Sequence, residues 1–383
     1  MALHFDRAEF DARRDRLMID MAEKKLDAIL LFAQESMYWL TGYDTFGFCF
    51  FQCLIVQADG SMTLLTRSAD LRQARHTSII ENIVVWTDRV DANPAVELRN
   101  LLNDLDLLGG RIGVEYDTHG LTAYNGRRVD EQLQTFGQTV DASGIVGHLR
   151  LFKSPAEIAK VEKAAALADD ALDAALLLIK QGGDEAAILA AMQGTIFAGG
   201  GDYPANEFII GSGADALLCR YKSGRRKLNK NDQLTLEWAG VFNHYHAATM
   251  RTVIVGKVSK RHQELFDAAR ETLLAVEKAM TPGNTFGDVF DAHARVMEAH
   301  GLTKHRLNAC GYSLGARFTP SWMDMPMFYA GNPEPIAPDM TLFAHMIIMD
   351  SETETAMTLG RTYLTTEDAP KPLSRHGLDL IVR

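Results

Sequence analysis

The stretch "LTLEWAGVFNHYHAATMRTVIVG", residues 234–256, reads as two strands joined by a turn, with an acid in the first strand and two histidines opening the second. Side chains of a strand alternate between faces, so Thr235, Glu237 and Ala239 share one side of the first strand. By the same alternation His244, His246, Ala248 and Met250 share one side of the second. If the hairpin pairs as this spacing suggests, Glu237 and at least one histidine point into the same cavity. Three readings are open for Glu237, His244 and His246: a metal site, a metal-free catalytic site, or the polar trim of a buried sheet. A strand glutamate buried without a partner is costly, which favours function for Glu237.

Outward from the hairpin, the pattern runs helix, strands, helix, helix, strands. The segments 185–201, 261–280 and 285–301 read as amphipathic helices, while 207–212, 233–256, 309–318, 340–350 and 356–365 read as strands. That order predicts an α+β domain in which helices cover one face of an antiparallel sheet. The first 150 residues have another rhythm. Strand-length apolar runs at 28–32, 53–57, 62–66, 82–86 and 111–115 alternate with helical patterns, which is an α/β domain. Between the two halves, Ser154, Pro155 and Glu157 form the start of a long helix, with Ser154 as cap, Pro155 at its first position and Glu157 closing a capping box. The domain boundary is expected near residue 150, giving domains 1–150 and 151–383. At roughly 100–200 residues per domain, 383 residues accommodate both.

Composition narrows the function classes. A net charge of −11 speaks against a nucleic-acid partner, which draws on clustered Lys and Arg. The one basic cluster, "RYKSGRRK" at 220–227, reads as a solvated turn, with an anion site as the alternative. Cys49, Cys53, Cys219 and Cys310 have neither disulfide-framework nor zinc-knuckle spacing, so free thiols in a reducing compartment are expected. No signal core and no run of about 18 apolar residues is present, so a cytoplasmic protein without a membrane partner is expected.

Five segments in register resemble the creatinase/prolidase family of pita-bread enzymes. They are "MYWLTGYDTF" (37–46), "LRLFKSPAEI" (149–158), "MTPGNTFGDVFDA" (280–292), "GYSLG" (311–315) and "APDMTLFAHM" (337–346). The resemblance implies a creatinase/prolidase-like N-terminal α/β domain and a pita-bread catalytic domain. Metal-dependent members bind two ions through two aspartates, a histidine and two glutamates. The matching positions here are Glu237, Ala248, Tyr312, His345 and Gly360, of which Glu237 alone keeps a carboxylate. Alanine and glycine donate no side-chain ligand, so the dinuclear site is expected to be absent and no cofactor is expected. A single ion on Glu237, His345 and one hairpin histidine is a further option.

The metal-free members, creatinase and ectoine hydrolase, are therefore the nearer analogues. Creatinase carries substrate-binding glutamates at the positions of Met250 and His345, and its catalytic histidine aligns near Asp202. The ectoine hydrolase pattern is closer: "GGDYPA" (200–205), Glu237 ahead of Ala239-Gly240-Val241, Tyr245-His246-Ala247, Arg251-Thr252 and Gly311-Tyr312. The resemblance implies a metal-independent hydrolase of a small nitrogenous compound, working as a homodimer in which "YDTFGFCF" (43–50) reaches the partner. Glu237 is expected as nucleophile or base, its pKa raised by apolar walls. His246 is expected as proton shuttle, and Asp202 as a further catalytic residue or a turn-former. Tyr312 would donate to an oxyanion, and His345, His244, Arg220 and Trp322 would hold substrate. Arg251 is weighed as a carboxylate clamp or a structural residue, and Phe318 and Trp238 as cavity wall or core. An Xaa-Pro dipeptidase and a catalytically inactive pita-bread binding module are the competing readings.

Overall fold

The computed structural model describes residues 3–220 and 224–383. The chain divides into two compact units, Met1–Arg150 and Leu151–Arg383.

The first unit holds a six-stranded mixed sheet in the order β4-β3-β2-β1-β5-β6. Its strands are β1 (Ala28–Leu31), β2 (Cys53–Gln57), β3 (Met62–Arg67), β4 (Asn82–Trp86), β5 (Arg111–Val114) and β6 (Gln138–Asp141). The first five lie where the apolar runs predict them. Alternate residues of β1 feed two cores, Ile29 and Leu31 on one side and Ala28 and Leu30 on the other, so both faces of the sheet are covered. The helix Gln34–Thr41 lacks a side-chain cap of its own. Glu115, just past β5, takes that role by accepting from the Phe32 and Ala33 amides and the Ser36 hydroxyl at 2.6–2.9 Å.

The second unit holds a nine-stranded, mainly antiparallel sheet ordered β11-β10-β12-β13-β9-β8-β7, with two-residue strands β14 (Lys371–Pro372) beside β13 and β15 (Ile381–Val382) parallel to β9. The other strands are β7 (Ile209–Ser212), β8 (Asp232–Phe242), β9 (Tyr245–Val255), β10 (Ala309–Ser313), β11 (Asp324–Tyr329), β12 (Thr341–Asp350) and β13 (Thr355–Leu364). β8 and β9 pair over their full length across a two-residue turn, Asn243-His244, where both residues have positive φ (48° and 65°), the geometry of a tight hairpin. β11, which contains the cis Met325-Pro326 bond, was not anticipated from the sequence.

Helices cover one face of this sheet. The helix Pro155–Leu178 starts with the Ser154/Glu157 capping box and lies against β8 and β9. Trp238 turns to it and donates its indole N–H to the Ala168 carbonyl at 2.8 Å, so Trp238 is core and not cavity wall. Further along, Leu342, Ala344, Met346 and Ile348 of β12 pack against the helices Lys260–Ala279 and Phe286–Ala299. Arg251 faces the same side. It is 2% exposed and donates through Nη1 to the carbonyls of Met250 and Gly360 at 2.8 and 2.5 Å. That ties β9 to β13 from behind and makes Arg251 a structural residue. The opposite face is left for the site.

Gly240 sets how closely helix and sheet approach. A Cβ there would stand 1.9 Å from the Ala164 carbonyl oxygen and 2.5 Å from the Ala168 amide. Gly240→Ala should therefore destabilise the protein by about 1–3 kcal/mol or more through forced displacement of the helix. Gly194, within the helix Glu185–Ala198, has open space around its Cβ position, so Gly194→Ala should stabilise by roughly 0.5–1 kcal/mol. Urea unfolding of the two variants checks the opposite signs.

Candidate active site

Register brings four strands to one point. Glu237 of β8 pairs with Met250 of β9, Met250 with Gly360 of β13, and Gly360 with His345 of β12. Directly opposed residues share a face. The four therefore form one row across the helix-free side of the sheet. Tyr312 of β10 pairs with Phe343, two residues from His345, and its ring centroid lies 5.6 Å from that of His345.

Beside this row is a cavity of about 230 Å³ lined by Asn206, Glu207, Ile209, Arg220, Glu237, Tyr312, Pro320, Ser321, Trp322 and Met323. Glu237, Tyr312, Arg220 and Trp322 thus stand together, as sequence reading expects. The Tyr312 hydroxyl donates to Glu237 Oε1 at 3.5 Å, the long limit of a hydrogen bond, and accepts from the Trp322 indole N–H at 2.9 Å. Burial pushes the Glu237 carboxyl up to about 7, with the Arg220 charge and the Tyr312 hydrogen bond acting the other way. Burial also raises the Tyr312 phenol well above its ordinary value, helped by the adjacent carboxylate. Tyr312 therefore stays protonated and Glu237 is poised to exchange a proton near neutrality.

The hairpin histidines stand elsewhere. His246 pairs with Val241, four residues along from the Glu237 pair, which at ~3.4 Å per residue is roughly 14 Å away. It shares the Glu237 face but does not line the cavity. Its Nε2 accepts from the Ala205 amide at 3.0 Å, so the neutral ring carries its proton on Nδ1, and burial drops its pKa to about 3. The expected shuttle is a histidine held neutral to anchor the 205–206 loop. His244 lies in the turn with its ring stacked on Phe318 at 4.2 Å, so neither it nor Phe318 borders the cavity. Asp202 belongs to the same turn: its Oδ2 accepts from the His244 amide at 3.3 Å and its own N–H donates to the Val241 carbonyl. It forms a turn there, remote from Glu237.

His345 sits beside Tyr312 and Phe343 without lining the cavity. Burial lowers its pKa to about 4, and its buried Nδ1 has no hydrogen-bond partner among the described residues. His293, in the helix Phe286–Ala299, shares that state and is held near 3 by burial, with the Arg306 and His345 charges adding to the effect. Of the basic stretch 220–227, residues 221–223 lie outside the described residues. Arg220, Arg225 and Lys227 are exposed, as a solvated turn would be, although Arg220 also borders the cavity; Arg226 is engaged, donating to Ser212 at 2.6 Å.

Sequence reasoning missed Asn206, Glu207, Ile209, Pro320, Ser321 and Met323. Ile209 alone had a usable signal, since it pairs with Glu237 and shares its face. The others reach the cavity from non-strand segments.

Residues 159–367 match the metallopeptidase family M24, and residues 13–152 match the creatinase/prolidase N-terminal domain. The chain belongs to this creatinase/prolidase family of hydrolases. Its sheet and helices are those of a pita-bread domain, preceded by an α/β domain. It is 26% identical over 360 residues to the ectoine hydrolase of Halomonas elongata, with 89% of each chain covered. It is 22% identical over 303 residues to the Xaa-Pro dipeptidase of Pyrococcus furiosus, covering 79% of this chain and 82% of that one. The solved Xaa-Pro dipeptidase of Bacillus anthracis superposes with a TM-score of 0.85 at 18% identity, over 98% of this chain and 100% of its own, a likeness of fold.

A family of metallopeptidases raises the question of metal. The cross-sheet row itself offers one carboxylate and one imidazole, with the Tyr312 phenol and the Glu207 carboxylate at the adjoining cavity, while Ala248, Met250 and Gly360 supply no side-chain oxygen or nitrogen donor. A bridged pair of divalent ions takes several anionic ligands, and this donor set does not fit one. Among the described residues, His305, Asp350 and Glu352 form the one group with metal-like spacing, at the far end of β12. There Asp350 is already taken by the Arg261 guanidinium at 2.6 and 2.9 Å.

The raised carboxyl sets a pH signature. A carboxyl with a folded pKa of about 7 against an ordinary 4.5 favours folding below pH 4.5, and that contribution is lost as pH rises toward 7. Glu237→Gln removes the loss. Its urea midpoint relative to the parent protein should therefore rise progressively between pH 4.5 and 7 and level off above; a pH-independent difference would contradict the assignment.

Proposed function

We propose that the chain is a metal-independent hydrolase that opens a C–N bond of a small nitrogenous compound in the Glu237 cavity. The observation that carries this reading is a carboxyl tuned to about 7 beside a protonated phenol, at a place where Ala248 and Gly360 leave no donors for an ion pair. The likeness to an ectoine hydrolase over nine-tenths of the chain supports the non-peptide substrate class.

Glu237 needs no separate shuttle. As a base it takes a proton from water while the water oxygen adds to the amide or amidine carbon; Tyr312 donates to the electronegative atom on which charge develops. The same proton then passes from Glu237 to the leaving nitrogen as the C–N bond breaks. As a nucleophile, the Glu237 carboxylate would instead attack the carbon, the leaving nitrogen taking a proton from solvent water as the C–N bond breaks, and a second water would open the resulting anhydride and return Glu237 as a carboxylate. Arg220, at the cavity edge, supplies a guanidinium suited to a substrate carboxylate. In a single turnover in ¹⁸O-water, label in the Glu237 carboxylate establishes the nucleophilic route, because water that the carboxylate merely activates delivers its oxygen to the product.

The working unit in this reading is a homodimer in the cytoplasm. The exposed rings of Phe46 (76%) and Phe50 (49%) suit coverage by a second copy, and the four free cysteines suit a reducing compartment. Among the described residues no helix is long and apolar enough to cross a membrane.

Chelator-treated protein incubated with ectoines, creatine analogues, cyclic amides and Gly-Pro, followed by mass spectrometry, should hydrolyse a non-peptide member of the panel. Glu237→Gln should reduce that rate by about a hundredfold or more. Turnover of Gly-Pro alone, restored by two equivalents of manganese, zinc or cobalt, would make the Xaa-Pro dipeptidase reading the better one. Undiminished ligand binding by Glu237→Gln with no turnover of any compound would favour an inactive binding module.

A further inference from the structure

Two residues outside the reacting pair control which way the Tyr312 proton points. An indole N–H is a donor only, so the Trp322 bond at 2.9 Å obliges the Tyr312 oxygen to accept. A phenol has one proton, and with Trp322 on one side the carboxylate within its reach is Glu237 at 3.5 Å. Trp322 is itself 1% exposed and held at two places. Its backbone N–H donates to Asn206 Oδ1 at 2.9 Å, and its ring packs 6.4 Å from that of Phe208 and 6.3 Å from that of His246. The residue before Asn206 is pinned in turn, because the Ala205 amide donates to His246 Nε2. A chain of contacts therefore runs from the hairpin through Ala205 and Asn206 to Trp322, and ends on the hydroxyl that faces Glu237.

We propose that Asn206 and Trp322 are positioning residues that hold the Tyr312 hydroxyl as a donor aimed at Glu237. This rests on the reading of Glu237 as the reacting group. A hydroxyl locked as donor favours the ionised carboxylate, the form that acts as base or nucleophile; a hydroxyl free to rotate can equally accept from the protonated acid. The charged or titratable groups near Glu237 are Arg220, Tyr312, Glu207 and His345, and substitution of Asn206 or Trp322 replaces none of them.

The test reads Glu237 directly. Protein carrying ¹³C-carboxyl glutamate is titrated by NMR, and the Glu237 resonance is assigned by its absence from Glu237→Gln. Tyr312→Phe, which removes the donor, should raise the titration midpoint by about half a pH unit or more, and Trp322→Phe and Asn206→Ala should shift it in the same direction. Asn206 is partly exposed and its truncation leaves the core intact, so it decides the matter if Trp322→Phe fails to fold. Midpoints in Asn206→Ala and Trp322→Phe equal to that of the parent protein, with Tyr312→Phe shifted, would overturn the proposal, as would an unshifted Tyr312→Phe. Turnover is measured separately. A parent protein that hydrolyses nothing on the panel sinks the hydrolase reading while the titration result stands on its own.

Discussion

The pairing of Glu237 with Met250, and through Gly360 with His345, is the constraint on which the site depends. A two-residue turn with both φ angles positive locks the β8–β9 register at one end, and the Arg251 guanidinium locks β9 to β13 from behind. A slip of one residue would send Glu237 into the helix layer and Trp238 into the cavity, exchanging a carboxylate for an indole at the reacting position. Thr252 and Thr358, whose hydroxyls meet at 3.0 Å, and Thr362, which donates to the Ala248 carbonyl at 2.8 Å, reinforce the same register from the open face. Chemistry on one face is thus secured by backbone pairing and by polar ties on both.

Within that frame, the donor-free position 360 is occupied by packing and not by empty space. A Cβ at Gly360 would lie 3.0 Å from two atoms of the Phe343 ring, which occupies the room a longer side chain would need. Phe343 in turn meets Tyr312 edge-on at 5.4 Å and His345 at 5.4 Å. The phenol is therefore braced by Phe343 as well as by Trp322. Restoring a glutamate at position 360 would displace that ring and loosen the hydroxyl that faces Glu237. The site is thus built around an aromatic brace in which Phe343 touches both Tyr312 and His345.

Most of the fold was legible because its strands are long and apolar or bounded by turn residues. Five strands of the first unit and β8, β9, β12 and β13 of the second announce themselves by run length. β6, four residues of "QTVD", and β11, "DMPMFY" with a proline inside it, carry too weak a pattern. The site was legible in a different measure. Alternation correctly put His246 on the Glu237 face, yet alternation says nothing about distance along a strand, and four residues of register put the imidazole out of reach. Asn206, Ser321 and Met323 were invisible because non-strand segments carry them to the cavity, and no periodicity records where such a segment comes to rest.

The proton inventory of the site follows from the same geometry. His246, His293 and His345 are all driven toward neutrality by burial, to about 3, 3 and 4, so none is the charged imidazolium that could act as an acid at neutral pH. Tyr312 keeps its proton, and Arg220 supplies charge without exchanging one. Glu237, by contrast, is a cavity group whose protonation changes around neutrality. Desolvation lifts it and the Tyr312 bond with the Arg220 charge restrain it, so the working pKa is a balance between an apolar wall and two donors. In the proposed hydrolysis, taking a proton from water and returning it to a leaving nitrogen would be two halves of one equilibrium on one carboxyl, with the proposed aromatic brace setting how readily that carboxyl starts in its charged form.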